Sequence, residues 1–355
     1  MLWIIISVGI LLFGFYMLIK KKKNNQIETG FAYQVSATGL TLITSSFGSG
    51  MDKIFALFSK ETESNNMIQL IAGFALLLVG MWMGYYVKNK LCVINLLGTK
   101  QRRIEDFRKD IGLNQFEYKE REIDLSEFFL KMDRECYEKA TDLIKKRMET
   151  FYSESKEVNK GYTGEAPIPL IMFAGQCDRG APIKEYYEYQ KFEQRLTKLE
   201  SCQKKRWPTK KEEFPELKLK ESLDSLNLEE AEEIVLGVSV TMEIKKHQVQ
   251  QFNAPFIELQ VDEPKHNAIQ FKEQVHNYSK KIFDLIIELS NAYPKLRKIH
   301  LVMSCQSSLA YELGKKITPE TYLKETIIYH YKNNSIPAYK WGISFNEEGT
   351  KYVEC

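Results

Sequence analysis

The six cysteines of this 355-residue chain (Cys92, Cys136, Cys177, Cys202, Cys305 and Cys355) form no CxxC pair. That spacing excludes both a zinc module and a disulfide framework, and reduced thiols are expected. No HExxH, GxSxG, P-loop or GxGxxG occurs, and the five histidines (His247, His266, His276, His300 and His330) show no ligand spacing with cysteine or paired carboxylates. No catalytic group, metal site or cofactor is therefore expected, and His300, inside an apolar run, reads as a hydrogen-bonded core residue. Charge of one sign is not in excess either. The net charge is +3, with acidic and basic residues alternating along the soluble part, so no footprint for long nucleic acid is expected. A fixed-period repeat is missing, although two strand-helix-strand halves fit inside residues 113–355. Long apolar runs are missing after Lys90.

Before Lys90 they are present. Residues 67–87 carry no charge over 21 positions, enough rise for an α-helix to cross a bilayer. A second stretch, Leu2 to Ile19, ends at four lysines, Lys20 to Lys23. A signal peptide has its basic residues before the apolar run and a small-residue cleavage site after it, and neither feature is here. The positive-inside tendency assigns Lys20–Lys23 to the cytoplasm, and equally Lys88, Lys90, Lys100, Arg102 and Arg103. Two crossings cannot satisfy both clusters. The uncharged, Gly/Ser/Thr-rich segment from Gly30 to Met51, 22 residues long, is either a third crossing packed against other helices or an extracytoplasmic or interfacial loop. An amphipathic piece follows at Asp52–Lys60. Under either reading the C-terminal part is cytoplasmic, and the basic residues after Val87 meet anionic headgroups. Gly80 and Gly84 have GxxxG spacing suited to helix association, and Gly39, Gly48 and Gly50 are candidates to line a pore.

From about residue 104 strand and helix signals alternate, which implies an α/β sandwich with a largely parallel sheet. Strands are expected at Phe116–Leu125, Ile168–Ala174, Ile234–Ile244, Pro255–Val261, Lys298–Ser304, Thr326–Tyr331 and Tyr339–Phe345. Helices are expected at Cys136–Tyr152, Tyr186–Cys202, Ala268–Tyr293 and Ser308–Lys315, and Gln203–Leu223 reads as an exposed excursion. Two turns stand out. Ser304, Cys305, Gln306, Ser307 and Ser308 lead from a strand into a helix, where free N–H groups favour phosphate; helix capping by serine explains the same residues. Gly175, Gln176 and Arg179 follow the expected strand at 168–174, with Arg179 available for a bidentate phosphate contact. Tyr331 and Trp341 are candidates for base stacking, although closing strands more often bury such residues. Two other readings stay open: a membrane-anchored hydrolase using Cys305, and a purely structural membrane adaptor.

Residues 300–315, HLVMSCQSSLAYELGK, resemble the signature of SAVED domains, in which a strand with His-Leu leads through a Pro-containing turn into Ala-x-Glu-Leu-Gly-Arg. His300, Leu301, Ser308, Ala310, Glu312, Leu313 and Gly314 fit, Lys315 stands for the Arg and Gln306 for the Pro. The resemblance covers residues 230–355 well and 160–229 only in architecture. It implies N-terminal transmembrane helices followed by a sensor domain of two fused Rossmann-like (CARF-like) units. The implied ligand is a cyclic di-, tri- or tetranucleotide made by an infection-triggered nucleotidyltransferase (a CD-NTase). The implied protein is a membrane effector of cyclic-oligonucleotide-based anti-phage signalling (CBASS) in the bacterial inner membrane, forming a homo-oligomer on ligand binding. The corresponding division is a membrane module at 1–90, a juxtamembrane linker with the start of the soluble body at 91–160, and the sensor domain at 161–355.

Overall fold

The computed structural model describes residues 2–23, 27–46, 64–98, 102–115, 117–129, 132–156, 158–202, 213–223, 226, 228–318 and 324–355. The expected amphipathic piece at 52–60, the glycines at 48 and 50, and residues 203–212 of the expected excursion lie outside them. The chain divides into two compact units, one of residues 1–91 with 153–159, the other of residues 92–152 with 160–355.

In the first unit α1 (Leu2–Lys23), α2 (Ile27–Ser46) and α3 (Ser64–Asn89) pack side by side, α2 against both others. Met67–Val87 is long and apolar enough to cross a membrane. Lys90 bonds Glu28 at 2.9 Å, so the end of α3, the start of α2 and the lysine end of α1 share one side. Ala32, Ala37 and Ile43 are buried between the helices together with Ser7 and Ser46; Ser7 Oγ lies 2.7 Å from Thr44 Oγ1, and the half-buried Ser36, Thr38 and Thr41 hydroxyls return to carbonyls four residues back. The exterior is apolar, with Leu12, Phe13, Ile68, Leu78, Trp82 and Tyr85 exposed. The expected association glycines have separate roles. A Cβ on Gly80 would collide with Ser36 of α2, whereas one on Gly84 would meet only the Ala32 Cβ at 4.0 Å. Gly80 is therefore an intrachain contact.

The second unit holds a five-stranded and a seven-stranded sheet. Its first half contains β1 (Leu91–Leu97), β2 (Tyr118–Asp124), α4 (Arg134–Glu154), β3 (Asn159–Gly164), α5 (Ile168–Cys177), β4 (Ile183–Gln190) and β5 (Arg195–Lys198). After β6 (Lys218–Leu219) the series returns as β7 (Glu233–Ser239), α6 (Lys246–Val249), β8 (Phe256–Gln260), α7 (Lys272–Ala292), β9 (Lys298–Ser304), α8 (Ser307–Lys316), β10 (Glu325–Tyr331) and β11 (Tyr339–Asn346), closed by β12 (Gly349–Glu354). Strand order is β2-β1-β3-β4-β5 in one sheet and β12-β11-β10-β9-β7-β8-β6 in the other. Each half is thus a Rossmann-like unit with antiparallel pairing toward its edges: β4 with β5 in the first, and β6 with β8 and β11 with β10 and β12 in the second. In the second, β8, β7, β9 and β10 are parallel.

The register makes the match residue by residue. Tyr162 on β3 faces Tyr186 on β4 and lies six residues before α5; Leu301 on β9 faces Ile328 on β10 and lies six before α8. Tyr186-Tyr187-Glu188-Tyr189 thereby aligns with Ile328-Tyr329-His330-Tyr331. Between the sheets α5 and α8 cross at their backbones. The eighth residue of each ten-residue helix is glycine, and a Cβ on Gly175 would strike the carbonyl oxygen of Tyr311, while one on Gly314 would strike that of Met172, the fifth residue of the opposite helix in each case. The helices run the same way, since at their ends Gln176 Nε2 donates to the Ile317 carbonyl at 3.0 Å and Lys315 bonds Asp178 at 3.1 Å. A pseudo-twofold axis therefore runs along the strands.

Two expectations change. Residues 168–174 are helix, because a short run that is apolar on every side satisfies a buried helix as well as a buried strand, and Pro167 and Pro169 suit a helix start. The expected helix at 186–202 is instead an antiparallel strand pair, β4 turning into β5: Tyr186 and Tyr187 are both fully buried on opposite faces, so both faces of β4 are covered and the two-residue alternation is hidden.

Candidate functional site

In open α/β sheets ligands bind beyond the carboxyl ends of the strands, at the point where strand order reverses. Here that point occurs twice, between β1 and β3 and between β7 and β9, and the pseudo-twofold turns both toward the same side.

In the second half, Ser304 closes β9 opposite Ser239. Its carbonyl accepts the N–H groups of Val240 and Thr241, each at 2.9 Å. Its hydroxyl lies 2.9 Å from Thr241 Oγ1 and accepts the Met242 N–H at 3.0 Å. Ser239 Oγ, donating to Glu258 at 2.6 Å, accepts the Ile244 N–H at 3.0 Å and pins the far end of the loop. The result is a crest of hydroxyls rimmed by exposed Met242. Farther out Phe192, 74% exposed, meets the His266 ring edge-on at 5.0 Å.

The start of α8 is already occupied by an anion. Glu188 reaches it from β4 and accepts the Ser308 N–H at 2.7 Å and the Ser307 hydroxyl at 3.3 Å. Burial pushes the Glu188 carboxyl up, against hydrogen bonds from both serines that pull it down. Gln306 is structural: its amide donates to the Ile269 carbonyl at 3.0 Å and accepts the Ile269 N–H at 2.6 Å.

The first half offers a cation instead. Arg102 pairs with Glu165 just after β3, and its guanidinium carbon lies 3.4 Å from the centre of the Tyr189 ring. Asn95 orients the segment by donating to the Arg102 carbonyl at 2.8 Å and to Glu120 at 2.6 Å. Asn95, Arg102, Glu165, Tyr189 and Phe107 line a small hollow at the ends of β1 and β3. No side chain caps α5, whose N-cap position is Pro167.

The structure separates the residues singled out from sequence. Ser304, Gln306, Ser307 and Ser308 lie at the starts of the helices, whereas Gly175, Gln176 and Arg179 lie at the other ends, about 15 Å away along ten helical residues. A helix C-terminus presents carbonyls, so the phosphate contact expected at Arg179 lacks its N–H donors. That end instead holds a buried ionic cluster. Lys160 and Asp178, each 1% exposed, pair directly, and Lys160 Nζ also donates to the Arg179 carbonyl at 2.6 Å. Tyr186 donates to Glu312, with His276 at 3.7 Å. Burial opposes ionisation of Glu312, but His276, Lys315 and Tyr186 together outweigh it and hold the carboxyl at about 2.

Tyr331 packs with Tyr329 and Tyr339 in a core cluster, and its hydroxyl accepts from Gln248 at 3.3 Å. A bulge in the β10–β11 pairing puts Trp341 among other rings, buried against His330 and Tyr352. His300 is the core residue expected, with Nδ1 2.8 Å from the Tyr329 hydroxyl and Nε2 2.9 Å from Glu233. Burial and neighbouring Glu188 push the Cys305 thiol up, the reverse of what a nucleophile needs. Among the described residues no group of His, Cys, Asp or Glu is placed to hold a metal ion. Sequence reading missed Arg102, Tyr189, Thr241 and Glu188. The first three sit on loops or strand ends without a motif, and Glu188 was discoverable only through the YYEY and IYHY match.

The arrangement is that of two Rossmann-like units in one domain, with the crevices at their strand ends turned to one side. Residues 143–345 match the family of the SMODS-associated and fused to various effectors sensor domain, and the chain belongs to this SAVED family. Solved structures similar to the chain include the Acinetobacter baumannii Cap4 SAVED/CARF-domain containing receptor with the cyclic trinucleotide 2'3'3'-cAAA, at 10% identity and a TM-score of 0.45, covering 88% of this chain and 65% of that one. The same receptor with 3'3'3'-cAAA gives 10% identity and a TM-score of 0.47, with 87% and 65% covered. The Moraxella osloensis Cap4 receptor gives 11% and 0.43, with 92% and 75% covered. The chain thus spans about two thirds of the length of the Acinetobacter receptor. No curated protein sequence matches it.

Proposed function

We propose that the chain is a membrane-anchored effector of CBASS that binds a cyclic oligonucleotide across the crest of its SAVED domain. The observation that carries this reading is the pair of strand-end crevices turned to one side by the pseudo-twofold, a geometry suited to a ring-shaped ligand with repeated units. Thr241 and Ser304 offer hydroxyls to phosphate or ribose, Arg102 a cation, and Tyr189 and Phe192 faces for bases.

The output is proposed to be disruption of the bacterial inner membrane, with the SAVED domain cytoplasmic. Supporting this are the exposed large apolar side chains of the helical unit, with small residues buried between its helices, and the lysines of α1 and α3 on one side, which three crossings with the N-terminus outside would place in the cytoplasm. One residue, Lys90, separates α3 from β1. Ligand acts by drawing SAVED domains into a homo-oligomer, which raises the local concentration of the attached helices and leads to abortive infection.

Calorimetry of the full chain in detergent against cyclic di-, tri- and tetranucleotides tests the sensor half. One of them should bind, and Arg102→Ala or Ser304→Ala should weaken it about tenfold, the loss of one charge-assisted or neutral hydrogen bond. Silence across all three sizes would reject the reading. Dye leakage from liposomes that follows ligand addition tests the effector half.

A further inference from the structure

The loop after β7 is held from within the sheet. Ser239, fully buried, closes that strand, and its hydroxyl has one proton to give and lone pairs to receive. The proton goes to Glu258 Oε1 at 2.6 Å, and a lone pair takes the Ile244 N–H at 3.0 Å. A carboxylate only accepts and a backbone N–H only donates, so these two neighbours fix the direction of the Ser239 hydroxyl. Glu258 stands on β8 opposite Gly237, which has no side chain to separate the carboxylate from Ser239 two residues on. Its other oxygen accepts from Lys220 Nζ at 3.0 Å, and Lys220 also bonds Glu243 at 2.9 Å. Both arms from this one buried carboxylate therefore end on the same loop, at Glu243 and Ile244. The first half repeats the plan on β2, which lies beside β1 as β8 lies beside β7. There Glu120 accepts the Ile104 N–H at 3.1 Å and the Asn95 amide at 2.6 Å.

We infer that Glu258 is a positioning residue of the crest: from behind the surface it sets the 240–244 loop, and through that loop the Thr241–Ser304 hydroxyl pair, in the geometry that meets the ligand. The near end of the loop is fixed by Ser304, whose carbonyl takes the Val240 and Thr241 N–H groups. The Thr241 and Ser304 hydroxyls lie 2.9 Å apart, and the Met242 N–H fills a lone pair of Ser304. One hydroxyl proton thus lies between the two oxygens, and the second has no acceptor among the described residues. That second proton is the one offered to a phosphate oxygen or a ribose hydroxyl. Ser239 and Ser304 are register partners, and Glu258 decides between them: it saturates Ser239 and leaves Ser304 to the ligand. Without Glu258 the Ser239 proton is a buried donor lacking a partner, a cost relieved when the loop opens to water. The inference rests on the cyclic-oligonucleotide reading above and adds to it a residue behind the contact surface.

The test uses the full chain in detergent, with calorimetry against cyclic di-, tri- and tetra-AMP and, without ligand, amide exchange of the 240–244 segment. Glu258→Ala and Ser239→Ala should each weaken nucleotide binding about tenfold, the loss of one hydrogen bond, and speed exchange of the segment roughly fivefold. The double variant should lose no more than either alone, since both changes break one relay. Glu258→Gln should recover: its amide oxygen still accepts the Ser239 hydroxyl while Lys220 keeps Glu243, so binding should stay within about threefold of wild type. Unchanged affinity or unchanged exchange in Glu258→Ala, additive losses in the double variant, or a Glu258→Gln affinity as poor as that of Glu258→Ala overturns the inference and leaves the sensor reading standing. A wild type that binds none of the three nucleotides overturns the sensor reading itself, while the exchange series still decides whether Glu258 sets the loop.

Discussion

At matched places in the two Rossmann-like units, β4 holds Glu188 and β10 holds His330; β3 holds Lys160 where β9 holds Ile299. Glu188 spans to the start of α8, and burial keeps the His330 imidazole neutral by holding it down at about 4. Lys160 is locked to Asp178, and Ile299 is fully buried. One backbone plan therefore carries two chemistries. The shared plan comes from apolar strands and the glycine crossing, while polar identity is set separately in each half by what the neighbouring helix end presents.

The comparison is broken most severely at the crossing. Gly175→Ala and Gly314→Ala should each lower stability by about 3 kcal/mol or more, because a carbonyl oxygen cannot yield as a side-chain tip can. The losses should be similar in the two halves and less than additive in the double variant, as read by chemical denaturation of the full chain in detergent. Additive losses would mean the helices do not share one contact.

Lys160→Met should cost about 3 kcal/mol by leaving Asp178 with Lys315 alone, whereas Ile299→Val at the matched position should cost about 1 kcal/mol. Equal costs would show the halves to be energetically alike. Glu312→Gln should cost roughly 2 kcal/mol at pH 7. With the folded carboxyl at about 2, below its unfolded value, this stability is present above about pH 4.5 and lost as pH falls toward 2, so the gap from wild type should close on acidification.

The smallest effect is expected at Glu188. Its folded carboxyl titrates above the unfolded value, so the folded state binds more protons and ionisation is unfavourable to folding as pH rises. Glu188→Gln keeps an acceptor for Ser308 and should change stability by less than about 1 kcal/mol, in the stabilising direction at pH 8 and vanishing near pH 4. A large loss at pH 8 would show that the charge itself is needed at the helix start.

Legibility from sequence followed pattern strength in the same two halves. The second was readable nearly throughout: β7 to β11 are apolar or β-branched runs, and α7 repeats apolar residues at three and four. The first half hid its plan. Its α5 is apolar on every face, β4 is buried on both, and β3 (Asn159–Gly164) contains a buried lysine whose partner lies after the next helix. The hydroxyl-bearing segment at 304–308 was legible as a strand-to-helix turn, but not that Glu188, 119 residues before Ser307, would reach it. The pairing of that turn with residues 175–180 failed because reading 168–174 as strand reversed the end of the fold to which those residues belong.

Covalent fusion of the halves has a consequence for recognition. A homodimer of one Rossmann-like chain must show a ligand two identical faces, since every substitution enters twice. Two halves in one polypeptide are free of that rule. Each can drift at its own strand ends while the glycine crossing keeps them together, so under the proposed function Arg102 and Tyr189 would serve one side of a ring and Thr241 and Ser304 the other. Such an arrangement would favour telling apart rings that differ at a single unit or linkage, which a symmetric pair does less readily.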